Sequence, residues 1–117
     1  MSRENPVQRA APRHSVRLAA ELRVGSIVAT GSTRDVSAGG VCVELDRHVE
    51  EGALVEVILY VVEDDIESAD QRTLTLAATV QWTAEGDRGY SHGLKFVETD
   101  AQKIAALKNA LHALGIA

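Results

Sequence analysis

The sequence predicts an all-β (mainly β) domain: a six-stranded antiparallel β-barrel with a C-terminal α-helix and a flexible N-terminal arm. Three observations carry that expectation. Apolar and polar residues alternate in six short stretches between residues 17 and 97. Turn residues separate the stretches, with none of the intervening helices that parallel strands need. After residue 98 the apolar period changes to that of a helix.

The elements follow in order. Residues 1–12 are polar, hold both prolines and lack periodicity, which predicts a flexible tail ahead of one domain over 13–117. Leu18, Ala20, Leu22 and Val24 form one face of the first strand. Gly25-Ser26 suits a type II′ hairpin turn, and 27–33 return as the second strand. A loop carries Asp35 to Gly40. In the third strand, "GVCVEL", Val41, Val43 and Leu45 face one way and Cys42 and Glu44 the other. Gly52 marks a turn, and Val55, Val57, Leu59 and Val61 line the fourth strand. The acidic segment 63–72 reads as an exposed loop. In the fifth strand, Leu74, Leu76, Ala78, Val80 and Trp82 share the inward face; Leu94 and Phe96 point inward from the sixth, 90–97.

"TDAQ" is a capping box with Thr99 as N-cap and Gln102 three residues on. Ile104, Leu107, Leu111 and Leu114 then recur at helical spacing until Gly115 ends the run. At 117 residues the chain has room for one modest core and no second sheet, so closing the strands into a barrel is the economical way to remove exposed edges.

Composition narrows the function. No apolar run approaches the ~20 residues of a membrane span, which argues against membrane insertion. The polar start lacks an apolar signal region, and the single Cys42 excludes an internal disulfide; a cytoplasmic location is expected. His14, His48, His92 and His112 show no metal-ligand spacing, so no metal is expected. Ser37 lacks the preceding glycine of a nucleophile elbow, and no phosphate-loop fingerprint exists. These absences argue against an enzyme, with no catalytic residues and no cofactor. One Phe, one Trp and two Tyr on an acidic body oppose binding of a nucleic acid polymer.

The net charge of −5 hides an asymmetry. Residues 1–34 carry six arginines against Glu4 and Glu21, a balance of +4, while 35–117 carry six basic and fifteen acidic residues, a balance of −9. Lysine is absent before Lys95. An arginine-only arm favours a specific anion, because the guanidinium fork grips phosphate or a guanine edge with two bonds and stacks on flat rings.

Two stretches supply such chemistry. In "RHSVR", Arg13 and Arg17 stand four apart. They point to one side about 13 Å apart if extended, or about 5–6 Å apart on a helical turn. In "DVSAGG", Asp35 can accept the N1–H and N2–H₂ donors of guanine, a pair that adenine does not present. Ser37 adds a hydroxyl. Gly39 and Gly40 permit positive φ and a bare backbone against a ligand. Taken alone, the second stretch reads as a plain turn held by its own Asp and Ser.

"RHSVR" followed by "DVSAGG" resembles the PilZ domain family, whose paired motifs are R-x-x-x-R and D/N-x-S-x-x-G. Arg13 and Arg17 match the first; Asp35, Ser37 and Gly40 match the second. The likeness extends over about residues 13–114 and includes "VQW", "HGLKF" with Gly93 and Phe96, and the terminal helix. It implies a PilZ-type β-barrel that binds cyclic di-GMP through those five residues, with Arg9, Gly39 and Trp82 as secondary contacts. Trp82 thus has two readings, core residue and site border. Family members often carry another arginine where this chain has Pro12, and its absence weighs against a stacked ligand dimer.

The implied role is a cyclic di-GMP effector or adaptor in second-messenger signalling. Its arm would order on the ligand and alter a surface docked by an unidentified downstream protein, in motility or biofilm control. The alternative is a PilZ-fold interaction module in pilus or flagellar motility that ignores nucleotide. The chain is expected to be a monomer or weak homodimer.

Overall fold

Seven strands and one helix follow one another in this computed structural model, which describes residues 14–15, 17–62 and 71–115. They are β1 (His14–Ser15), β2 (Ala19–Val24), β3 (Ile27–Val36), β4 (Gly40–Leu45), β5 (Leu54–Val62), β6 (Gln71–Glu85), β7 (Tyr90–Phe96) and α1 (Ala101–Ala113). All pairings are antiparallel, in the order β1-β3-β2-β5-β6-β7-β4, and a further β3–β4 pairing closes the ring. The result is a closed six-stranded barrel, β2 to β7, with the two-residue β1 added beside the far end of β3.

The alternating pattern explains the barrel. Leu22, Val43, Val57, Leu76, Val80 and Leu94 come from five different strands and are all buried in one core. Leu107 and Leu111 of α1 join that core. The predicted hairpin forms: Val24 pairs with Ile27, and Gly25 sits at φ 59° while Ser26 stays at negative φ, the signs of a type II′ turn.

Several boundaries differ from the sequence expectation. Strand β3 runs through Asp35 and Val36, leaving only residues 37–39 as the loop. Strand β6 takes in Gln71 and Arg72; residues 63–70 lie outside the described residues. The helix begins one residue late. Asp100, not Thr99, is the N-cap, its Oδ1 accepting from the Gln102 N–H at 2.8 Å. The cause lies in Glu98, whose carboxylate accepts from the N–H groups of Asp100 (3.0 Å) and, across on β6, Ala77 (2.8 Å). That pins the approach so that Asp100 meets the helix end. Gly115, at φ 78°, ends the helix as expected.

Two bulges turn side chains over. Between β3 and β4 the register shifts between Thr33 and Asp35, so Arg34 is the extra residue. Between β6 and β7 it shifts between Val80 and Trp82, making Gln81 extra.

Candidate functional site

The second bulge decides where Trp82 goes. Strict alternation would carry it inward with Val80. One extra residue instead moves it to the other face, where it is 43% exposed. It then pairs with Gly93, Gly93 with Cys42, Cys42 with Asp35, and Asp35 with Ser15. The adjacent row of Val36, Val41, Leu94 and Val80 is buried, so this row lies on the outside of the barrel. The core reading of Trp82 is thereby corrected. The indole lies directly over Gly93: a methyl group there would collide with the ring, about 2.6 Å from Cδ1 and closer still to Nε1 and Cε2.

Arg17 reaches the same outer face from the chain between β1 and β2. Its backbone neighbourhood is held by reciprocal bonds, in which Leu18 N–H donates to the Thr33 hydroxyl and Thr33 N–H to the Leu18 carbonyl, both 2.8 Å. Thr33 is fully buried. The Arg17 guanidinium Nη1 donates to Oγ of Ser32 at 2.8 Å. Ser32 pairs with Glu44 on β4 and shares the outward side with Asp35, since Thr33 between them faces the core and the bulge takes up Arg34. Arg34 in turn approaches Glu44 at 3.7 Å.

The loop after Asp35 is built by Ser37. This residue is buried, and its Oγ accepts from the N–H groups of Gly39 and Gly40, both 3.2 Å, while donating to the Gly40 carbonyl at 3.3 Å. Its own N–H also donates to that carbonyl at 2.9 Å. Two expectations change here. Neither Gly39 nor Gly40 has positive φ, and their N–H groups are turned toward Ser37 and not left bare. Gly40 is required for packing, since a Cβ would collide with the Leu94 carbonyl oxygen of β7; around Gly39 there is open space.

Arg9, Arg13 and Pro12 lie outside the described residues. The structure therefore brings Arg17, Asp35, the Ser37 loop and Trp82 to one outer surface. Sequence reasoning missed Ser32 and the role of Gly93 as a seat for the indole. A serine at an outward strand position carries no local signal, and the glycine's function depends on the bulge opposite. Beside this surface lies a cavity of about 470 Å³, its walls including Ser32, Glu44, Asp46, Arg88, Tyr90 and Ser91.

His92 stands apart from the site, fully buried in the register row Val43–His92–Thr83. Its Nε2 accepts the Val49 N–H at 2.9 Å, tying the β4–β5 loop to the barrel. Burial, and then the nearby His48, push its pKa below the usual imidazole value. Among the described residues no group of three or more metal-ligating side chains assembles, and no helix is long and apolar enough to cross a membrane.

The comparisons agree with this architecture. The structure is similar to the PilZ domain with c-di-GMP of YcgR from Escherichia coli, at TM-score 0.71 and 12% identity over 92% of each chain. It is similar to the PilZ domain of CeSA from a cellulose-synthesizing bacterium, at TM-score 0.64 and 21% identity over 89% of this chain and 98% of that one. It also resembles the Bacillus subtilis inhibitor of motility MotI/DgrA, at TM-score 0.69 and 18% identity, covering 91% of this chain. The present chain spans about half of that protein, 51%. Identities this low speak to fold. No curated protein matches by sequence. The PilZ domain family model matches residues 7–113, nearly the whole chain, and the chain belongs to the PilZ domain family.

Proposed function

We propose that the chain is a non-enzymatic effector that binds cyclic di-GMP on the outer face of the barrel. The observation that carries this reading is the in-register row that sets Asp35 and the exposed Trp82 on one surface, with Arg17 held over the same face by Ser32. Asp35 accepts the N1–H and N2–H₂ donors of a guanine. The indole of Trp82 offers a flat apolar surface for a purine. Arg17, with Arg13 from the arm, grips phosphate oxygens or the guanine O6/N7 edge through two-pronged bonds. Ser37 and Gly40 act by shaping the loop that presents Asp35. Binding draws the arginine arm across the barrel and changes the surface that a downstream protein meets.

Calorimetric titration with cyclic di-GMP tests the reading, using the natural chain and the variants Arg13→Ala, Arg17→Ala and Asp35→Ala. Binding by the natural chain that each substitution weakens at least tenfold is expected, together with new amide-exchange protection in residues 5–17. A silent titration would favour a docking module that works without nucleotide.

A further inference from the structure

Arg17 has a long side chain with several rotatable bonds, and immobilising such a side chain opposes binding. Two features of β3 reduce that cost beforehand. The reciprocal Leu18–Thr33 bonds, 2.8 Å each, fix the main chain next to Arg17. The Ser32 hydroxyl then takes one guanidinium N–H at 2.8 Å, leaving four of its five donors for an anion.

The chemistry of the partner matters as much as its position. A carboxylate holding Arg17 would neutralise the charge that a dianionic ligand needs, whereas a hydroxyl orients the guanidinium and leaves its charge intact. The carboxylate on the same row is Glu44, the β4 partner of Ser32. Glu44 is faced by Arg34, at 3.7 Å, which draws its carboxylate toward another cation. The bulge that makes Arg34 the extra residue of β3 is what lets Ser32, Asp35 and the Arg34–Glu44 pair coexist on this stretch.

We propose that Ser32 is a positioning residue that aims Arg17 at the ligand's phosphate or guanine edge, an assignment that rests on the cyclic di-GMP reading. Ser32 touches the arginine, not the ligand, so its effect travels only through Arg17.

A double-mutant cycle tests this, with calorimetric titration of cyclic di-GMP into the natural chain, Ser32→Ala, Ser32→Thr, Arg17→Ala and the Ser32→Ala/Arg17→Ala pair, and thermal melts in parallel. Ser32→Ala should weaken binding roughly three- to tenfold, the usual net scale of one hydrogen bond. Its melting temperature should stay near that of the natural chain, because the bond is exposed. Ser32→Thr keeps the hydroxyl and should bind like the natural chain. In the Arg17→Ala background, Ser32→Ala should add no further loss. Equal losses from Ser32→Ala with and without Arg17 would overturn the assignment. So would full affinity in Ser32→Ala alongside lost affinity in Arg17→Ala, and in that case the binding site itself would stand. Absence of binding by the natural chain would instead remove the cyclic di-GMP reading and this inference with it.

Discussion

The indole of Trp82 rests on Gly93, its partner across the β6–β7 pair, so closely that any side chain at Gly93 would collide with the ring. Trp82 is the single tryptophan of the chain. Its emission therefore reports on this surface alone. Saturating cyclic di-GMP should quench or shift that emission, and Trp82→Ala should weaken binding roughly tenfold, within the range measured for base stacking on aromatic rings. Gly93→Ala should shift the emission of the ligand-free protein and weaken binding too, because the ring must swing off its seat. Ligand saturation with unchanged Trp82 fluorescence would remove the indole from the site.

Adjacent glycines should respond oppositely to the same substitution. Gly40→Ala drives a methyl into the Leu94 carbonyl, and backbone pairing on both sides leaves little room to relax. It should destabilise the fold by about 2–4 kcal/mol. Gly39→Ala meets open space at an ordinary φ, and its effect should stay within about 0.5 kcal/mol. Urea unfolding of the two variants decides this; similar midpoints for both would contradict it.

Ser37→Ala should act on stability before it acts on ligand. The buried hydroxyl accepts two backbone N–H groups and donates to one carbonyl. Removing it leaves these groups without that partner in the loop, a loss of about 1–3 kcal/mol. Ser37→Thr keeps the hydroxyl and should recover most of that loss. A Ser37→Ala protein as stable as the natural chain would mean that the loop holds its shape without the hydroxyl.

Acid should weaken the fold in two stages. The folded state depresses the pKa of His92 through burial and the proximity of His48. The unfolded chain takes up a proton near pH 6.5 while the folded imidazole resists it, so this contribution is complete above about pH 6.5 and declines as pH falls toward the folded value. Glu98 is depressed as well, first by the Ala77 N–H and then by that of Asp100. Its contribution is complete above the ordinary carboxylate value of about 4.3 and is lost as pH falls through the folded value. Urea midpoints should start to drop below about pH 6.5 and drop again below about 4.3. His92→Gln, whose side-chain oxygen can still accept the Val49 N–H, should flatten the first stage. A midpoint independent of pH between 7 and 5.5 would refute the role of His92.

How much of this was legible in the sequence depends on the range of the interaction involved. The barrel strands, the inward faces of β2, β4 and β5, the Gly25-Ser26 turn and the end of the helix at Gly115 all follow from neighbours in the chain: alternation, turn chemistry and helical period are local properties. The family resemblance was legible as well, because its motifs are short and their spacing is set along the chain. The outward turn of Trp82 was not. It comes from a bulge, and a bulge exists only relative to a partner strand; nothing near Gln81 in the sequence marks it. The same holds for Asp100 displacing Thr99 as the cap, which depends on Glu98 reaching Ala77 on another strand. Likewise "TRDVSAGG" names Asp35 and Ser37, but the tertiary structure decided their different uses. Strand pairing puts Asp35 on the outer row, while the closed loop turns the Ser37 hydroxyl onto its own backbone. The sequence determined the barrel and the kinds of side chain available to a ligand. Strand register, fixed only when the ring of strands closes, decided which of them share a surface.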